Sequence, residues 1–188
     1  MGQNKRLLYL LEIVMVGVLA YLIGLLPTTN GSGLGVNLGV IPLYVIAIRH
    51  NVRAGMYAGF LFGMIQLLTG QATILTPVQV FIEYFFAFMM AGFAGTFAPQ
   101  IKKALDEKKL ASFFTWVGAS TFIGMFVQYF VHFLAGYFFW RSYAPKGMNP
   151  WMYSLMVNGG TGLATWVVAA IAVGLLLKTA PVLYQPKK

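Results

Sequence analysis

The sequence predicts an all-α integral membrane protein, a bundle of six transmembrane helices that forms one domain over residues 1–188. Hydrophobic residues make up 59% of the chain and charged residues only 9%, whereas soluble domains carry roughly 25% charged residues. The apolar residues fall into six runs, which are separated by short polar or basic segments. This pattern is typical of a polytopic membrane protein, because a helix needs about 20 apolar residues to cross a bilayer.

The first three runs differ in length. The first is longer than the apolar part of a signal peptide and no small-residue cleavage site follows it, so we expect a retained helix that ends at Pro27. The second run would make a helix of only ~16 Å, so it and the third are expected to tilt or to form a hairpin within the membrane. The predicted helices are Leu7–Leu26, Leu38–Ile48, Ala54–Thr69, Val78–Ala98, Leu110–Phe139 and Pro150–Leu177.

The last three helices are full spans. Val78–Ala98 is followed by a charged segment, Pro99–Lys109, which we predict to be a loop. Asn149 before Pro150 predicts the start of the sixth helix. Asparagine is a good N-cap, and the missing N–H of proline costs nothing at the first helical position.

The basic residues predict the orientation of the bundle. Cations gather at the two termini and in two of the loops, whereas the loops Pro27–Asn37 and Trp140–Asn149 hold only Arg141 and Lys146. By the positive-inside rule both termini lie in the cytoplasm (N-in and C-in) and these two loops face the outside. The net charge of +9 follows from this pattern and does not indicate a nucleic-acid partner.

Several classes of chemistry find no support in the sequence. The chain has no cysteine, which excludes a thiolate metal site and a disulfide framework. It also lacks the GxxxxGK[ST], GxSxG and HExxH motifs, so it cannot hydrolyse ATP and shows no hydrolytic machinery. We therefore expect no enzyme, no metal and no cofactor.

Glu83 is an acid well inside an apolar span and away from basic residues. A charged side chain in such a position costs ~2.5–3.5 kcal/mol on insertion scales, so we expect it to be protonated, paired or lining a polar cavity. The alternative is an interfacial glutamate whose side chain extends to the membrane surface.

Polar and aromatic side chains gather at the same side of the predicted membrane. His132 lies about two turns before the end of the fifth helix, and Asn158 about two turns into the sixth. Trp140 and Tyr153 belong to an aromatic cluster that fits an interfacial belt, but a subset facing a carboxylate would form a cage for a flat cation. Tyr153 and Asn158 lie ~140° apart on a regular helix, so they meet one ligand only if the first turn is irregular or the ligand is broad.

Two stripes of small residues run along the helices. Gly17, Ala20 and Gly24 share one face of the first helix, where they either pack inside the bundle or contact a partner, since small residues allow close helix approach in lipid. The alanines that follow Glu83, up to Ala98, are expected to pack within the bundle.

The segment from His132 to Asn158 resembles the thiamine-specific substrate-binding (S) component of energy-coupling factor (ECF) transporters, the ThiT family. The resemblance covers most of the chain. The features that carry it are His132, Trp140, the turn Tyr143–Pro150, Tyr153, Ser154 and Asn158, with Glu83, Tyr84, Ala87 and Phe88 on the fourth helix.

The resemblance implies a high-affinity thiamine-binding subunit of the bacterial cell membrane. Transport would need a transmembrane coupling subunit, which the first-helix stripe would contact, and two ATPase subunits. The family uses a tryptophan of the first outer loop as part of a lid, whereas Pro27–Asn37 has no aromatic residue. The ligand contacts implied are Glu83, His132, Trp140, Tyr153 and Asn158, with Tyr84 as a secondary candidate.

Two other functions remain open at this point. A self-sufficient, proton-coupled transporter of thiamine or another aromatic organic cation would use Glu83 or His132 as its proton site. An intramembrane enzyme is disfavoured, because no nucleophile–base set is visible.

Overall fold

The computed structural model describes residues 3–28 and 34–184, and in these ranges the chain is all-helical. Of the helices described, α1, α4, α5 and α6 are long and apolar enough to cross a bilayer, which confirms the expected membrane fold. Part of the first loop and the C-terminal basic residues lie outside the described ranges. The helices are α1 (Gln3–Gly24), α2 (Val40–Arg49), α3 (Val52–Leu68), α4 (Pro77–Asp106), α5 (Leu110–Phe139) and α6 (Pro150–Thr179).

Side-chain caps set the starts of three helices. The backbone N–H of Trp151 donates to Asn149 Oδ1 at 2.9 Å, which confirms the predicted cap of α6. Asn51 caps α3 in the same way, so this helix begins at Val52, two residues earlier than predicted. Thr76 caps α4, whose first residue is a proline.

α4 is longer and less regular than predicted. The segment Pro99–Lys109, predicted to be a loop, is helical from Ala98 to Asp106. One face of this segment buries Ile101 and Ala104, so its apolar residues hold it against the bundle although its other face is charged. A tight 3₁₀ turn at Ala91–Gly95 precedes it.

α3 packs against α4 with the two backbones in contact. A side chain at Gly59 or Gly63 would collide with the carbonyl groups of Phe88 and Tyr84. Small residues permit this approach, as they do between helices in membranes generally. The contact fixes the backbone of α4 next to Glu83.

α2 is a short helix in the interior rather than a full span. Its ten residues measure only ~15 Å, and Val40, Leu43 and Tyr44 are fully buried. A sharp turn at His50 joins it to α3, and the expectation that these two short helices tilt or form a hairpin within the membrane stays a prediction.

The small-residue stripe of α1 faces the interior of the bundle. Ala20 is fully buried, a side chain on Gly17 would clash with Leu61 of α3, and Gly24 lies beside the Phe62 ring. The expectation that this stripe contacts a partner does not fit the packing of Gly17 and Ala20, which are buried within the bundle, whereas Gly24 is exposed. The exposed face of α1 carries larger apolar residues, namely Val14, Met15, Val18, Leu19 and Leu22.

The two ends of the bundle differ in charge. One end, called here the basic end, contains the start of α1, the α2–α3 turn, the α4–α5 turn and the end of α6. The opposite end, called the cavity end, contains the α1–α2, α3–α4 and α5–α6 connections. Among the described residues of the cavity end, the cationic ones are Arg141 and Lys146.

Candidate functional site

A cavity of about 680 Å³ opens at the cavity end, between α1, α3, α4, α5 and α6. Its volume falls in the range of small-molecule sites, roughly 300–1,000 Å³. Of the predicted site residues, four line it: Glu83, Tyr84, His132 and Asn158.

Glu83 supplies the negative charge of the cavity wall. The indole N–H of Trp140 donates to its Oε1 at 2.8 Å, and the amide of Gln79 donates to its Oε2. Glu83 is only 8% exposed, so the two donors orient a carboxylate that is largely shielded from solvent. Both donors are neutral, and within the described part of the chain no cation forms an ion pair with Glu83.

Gln79 is itself fixed by the α3–α4 connection. Its Oε1 accepts from the N–H of Leu75 at 3.1 Å, and its Nε2 donates to the carbonyl of Thr73 at 3.1 Å. The Tyr84 hydroxyl accepts from the N–H of Thr73 at 2.8 Å. The same short loop therefore anchors both Gln79 and Tyr84. The carboxylate of Glu83 is therefore held in place before any ligand binds.

Two wide helical turns carry the polar residues of the wall. The turn Phe81–Phe86 of α4 contains Glu83 and Tyr84, and Leu155–Gly159 of α6 contains Asn158; both are π-helical. Such turns are rare and often occur at functional sites. On a regular helix Glu83 and Tyr84 would point ~100° apart, yet here both line the cavity.

His132 lies among aromatic rings on the α5 side of the cavity. Its ring centroid is 5.5 Å from that of Phe88 and 5.6 Å from that of Tyr129. All three residues line the cavity, so they present ring faces and edges to a flat ligand.

Asn158 is positioned by a close contact between α5 and α6. Its Nδ2 donates to Ser154 Oγ at 3.2 Å, and that hydroxyl donates to the carbonyl of Phe133 at 2.7 Å. A side chain at Gly136 would clash with both Ser154 and Asn158. Gly136 thus allows the two polar groups to sit between the helices.

The aromatic residues predicted for the site divide into two groups. Trp140 contacts Glu83 and lies 5.2 Å from Tyr143 between ring centroids. Both Trp140 and Tyr153 were predicted as ligand contacts, and neither is among the described residues that line the cavity. Trp151 is exposed and stacks on Tyr137 at 3.9 Å.

The connection between α1 and α2 closes one side of the cavity. The N–H of Asn37 donates to Thr165 Oγ1 at 3.0 Å, and that of Gly35 donates to Thr161 Oγ1 at 3.4 Å. The Tyr129 hydroxyl lies 3.2 Å from the same Thr165 oxygen. Two threonines of α6 thus hold this segment against the bundle.

Several residues of the cavity carry no clear signal in the sequence. They are aromatic or isolated polar residues of apolar helices, or polar residues of a loop, and their position depends on the packing. Gln79, which orients Glu83 but does not line the cavity, has a signal, because it precedes Glu83 by one helical turn. The cavity residues not predicted include Tyr21, Phe62, Gln66, Gln71, Thr73, Phe88, Tyr129 and Thr161.

This arrangement suits binding rather than catalysis. No cluster of three or more metal-ligating side chains is found within residues 3–28 and 34–184. The wall combines one oriented carboxylate, several aromatic rings and a few amide and hydroxyl groups. The fold and the site define a multi-pass membrane protein with a small-molecule site at one end of a helix bundle.

Comparison with known proteins gives the family. Residues 10–185 match the family of the thiamine transporter protein (Thia_YuaJ), and the chain belongs to this family of bacterial membrane transporters, which are not enzymes. It is 39% identical to the thiamine transporter ThiT of Lacticaseibacillus paracasei, over 100% of this chain and 95% of that protein.

Two further relatives agree. The chain is 32% identical to the thiamine transporter ThiT of Bacillus subtilis, over the full length of both proteins. It is also similar to the solved structure of ThiT from Listeria monocytogenes, with a TM-score of 0.93 and 39% identity over 97% of this chain and 100% of that one.

Proposed function

We propose that this protein is the thiamine-binding (S) component of an energy-coupling factor transporter, and that thiamine occupies the cavity described above. The observation that carries the proposal is the carboxylate of Glu83, which is buried, oriented by two neutral donors and free of a protein cation in the described residues. A buried charge is stable when a partner compensates it. Thiamine carries a permanent positive charge that supplies this compensation.

The rest of the wall fits the other parts of thiamine. Its two rings are flat, and His132, Phe88 and Tyr129 offer aromatic surfaces to them. The aminopyrimidine and the hydroxyethyl arm need hydrogen-bonding groups, which Tyr84 and Asn158 provide. The family membership and the names of the relatives support the same ligand.

The proposal extends to orientation and partners. The cavity end faces the outside and both termini lie in the cytoplasm, since the basic residues cluster at the opposite end. The chain lacks an ATP-binding motif, so we infer that a coupling subunit and two ATPase subunits energise transport.

A titration of the purified protein with thiamine tests the ligand. Trp140 lies beside Glu83, so thiamine should quench tryptophan fluorescence in a saturable manner. A neutral vitamin, such as riboflavin, is the control and should not compete. Absence of saturable thiamine binding by the folded protein would contradict the proposal.

A further inference from the structure

Gln66 is a residue of the cavity wall to which neither the sequence analysis nor the proposed function gives a role. It lies on α3, two residues before the helix ends, and it lines the cavity. Its side-chain Nε2 is enclosed by the protein and has no hydrogen-bond partner among the described residues. An amide donor in this condition is costly, since water no longer solvates it and no acceptor replaces the water.

The polar groups around Gln66 do not share this property. Glu83 accepts two hydrogen bonds, the Tyr84 hydroxyl accepts one from Thr73, and Asn158 donates to Ser154. Beside the groups that already form hydrogen bonds, the wall therefore holds one enclosed donor, at Gln66, that no described residue uses.

The backbone around Gln66 is well fixed. Its carbonyl oxygen accepts hydrogen bonds from the N–H groups of Gln71 at 2.9 Å and Ala72 at 3.2 Å. These contacts join the end of α3 to the loop whose Thr73 carbonyl holds Gln79. The backbone of Gln66 is therefore connected to the same loop that orients Glu83, so the point from which its side chain extends is fixed before a ligand binds.

We propose that Gln66 is a ligand-binding residue, whose amide N–H donates a hydrogen bond to an acceptor atom of the thiamine held in this cavity. The inference rests on the proposed function and deepens it. Thiamine brings acceptors in its pyrimidine ring and its hydroxyl group, so an unused donor in the wall is complementary to it. A site built to satisfy such an acceptor discriminates against ligands that lack it, because its own polar group is then left unpaired.

The test replaces Gln66 by methionine, which has a similar length and no donor. Thiamine binding should weaken about tenfold, the usual effect of one hydrogen bond. The ligand-free protein should unfold at the same temperature as the parent or a higher one, because the substitution removes an unsatisfied polar group. If Gln66 had a purely structural role, the substitution would lower the thiamine affinity and the unfolding temperature together.

Gln100 provides a matched control. It lies on α4 at the basic end, and its Oε1 is likewise enclosed and unpartnered among the described residues. Gln100→Met should leave thiamine affinity unchanged. If Gln66→Met does not fold, Gln66→Asn withdraws the amide from the cavity while keeping its polarity, and it should weaken binding as well.

The outcomes separate the two proposals. Suppose that the parent binds thiamine and that Gln66→Met binds it equally well. The role of Gln66 is then refuted and the proposed function stands. If Gln66→Met does not fold, the same conclusion is drawn from Gln66→Asn. If the folded parent binds no thiamine, the proposed function is refuted and the inference with it.

Discussion

At the scale of single residues, the site is organised by how a carboxylate is oriented inside a membrane protein. Glu83 receives hydrogen bonds from Gln79 and Trp140, which stabilise the anion without cancelling its charge. A basic residue in the same place would form an ion pair and leave no attraction for a cationic ligand. Neutral donors thus orient the charge and keep it available to a ligand.

Glu83→Gln is the direct test of this charge. The variant keeps the shape of the side chain, so the protein should fold, but the positive charge of bound thiamine is left unpaired. Loss of one member of a buried charge pair costs several kcal/mol, which corresponds to roughly two orders of magnitude or more in affinity. Isothermal titration with thiamine measures this change.

The control for Glu83→Gln is another glutamate. Glu107 lies in the α4–α5 turn, where it pairs with Lys109 at 2.8 Å, and Glu107→Gln should leave binding unchanged.

Thiamine binding by the parent should also weaken in acid, where Glu83 becomes neutral, and Glu83→Gln should lose this pH dependence. Tight, parent-like binding by Glu83→Gln would show that the carboxylate does not recognise the ligand.

Trp140→Phe separates two contributions of one side chain. Phenylalanine keeps an aromatic ring but lacks the N–H that donates to Glu83 at 2.8 Å. Affinity should fall about tenfold from the loss of this charge-assisted hydrogen bond, and about thirtyfold or more in Trp140→Ala, where the ring is lost too. Fluorescence titration needs another emitter here, so calorimetry is the measurement.

Trp151→Phe is the matched substitution at a tryptophan that does not bond Glu83. Trp151 is exposed and stacks on Tyr137, so its replacement should not affect thiamine affinity. If Trp140→Phe binds thiamine as tightly as the parent, Trp140 belongs to the interfacial aromatic belt, which was the alternative that the sequence allowed.

The sequence predicted those site residues whose chemistry stands out in an apolar helix. Glu83, Tyr84, His132 and Asn158 are of this kind, and all four line the cavity. Phe62, a phenylalanine among many others, was not predictable, because only the packing of α3 on α4 brings it to the cavity. Tyr153 and Trp140 have suitable chemistry but are not among the described lining residues, so their contact with a ligand stays a prediction.

At the scale of helices and loops, irregular turns decide which residues meet. The π-helical turns at Phe81–Phe86 and Leu155–Gly159 change the direction of the side chains that follow them. The sequence indicated that the start of the sixth helix needs an irregularity, but apolar periodicity does not reveal where an extra residue is inserted. Helix starts were more predictable, since Asn149 and Pro150 signal α6 by local chemistry.

Thr165→Val tests the attachment of the α1–α2 connection. Valine has the shape of threonine but cannot accept the hydrogen bond from the N–H of Asn37 or bond the Tyr129 hydroxyl. Thiamine affinity should fall about tenfold, because the loosened segment has to be ordered on binding. Thr165→Ser retains the hydroxyl and should retain the affinity.

The chain has no cysteine, which allows a direct observation of this segment. A single Val36→Cys substitution should react faster with a maleimide when Thr165→Val is also present. Thr115→Val is the control, since the Thr115 hydroxyl bonds only within its own helix, to the Ala111 carbonyl at 3.0 Å. Unchanged affinity and unchanged labelling in Thr165→Val would show that other contacts hold the segment.

Gly17→Leu tests the packing of the α1 stripe. A large side chain would collide with Leu61 of α3, so overpacking should destabilise the protein by about 1–3 kcal/mol and weaken thiamine binding in parallel. Thermal unfolding in detergent measures the first effect. Val18→Leu, on the exposed face, should change neither quantity. A Gly17→Leu variant that folds and binds like the parent yet fails in uptake would return the stripe to a partner interface.

At the scale of the whole molecule, the two ends have opposite character. At the basic end, Glu12 accepts hydrogen bonds from Arg49 at 2.8 and 2.9 Å and lies 2.6 Å from His50 Nε2. Lys102 Nζ donates to the Arg49 carbonyl at 2.8 Å. These contacts join α1, α2 and α4 opposite the cavity. Ligand that enters the cavity therefore faces a closed end, and its release there requires a rearrangement of helices.

α1 is the most exposed of the four long helices. Of its apolar stretch 17% is buried, compared with 33% in α5 and in α6 and 50% in α4, so α1 is the most peripheral of these four described spans. Its exposed face is apolar and fits either lipid or a helix of another subunit. The proposed coupling subunit would contact the bundle at this face.

Uptake into vesicles separates this mechanism from a self-sufficient carrier. Vesicles that contain this chain alone should bind thiamine but not accumulate it, even when a proton gradient is imposed. Accumulation should appear only when a coupling subunit and ATPases are reconstituted with it and ATP is supplied on the side of the basic end. The Glu83→Gln variant is the control for ligand capture in both preparations. Accumulation by the chain alone, driven by the proton gradient, would favour the proton-coupled transporter, because the energy would then enter through the gradient rather than through a partner.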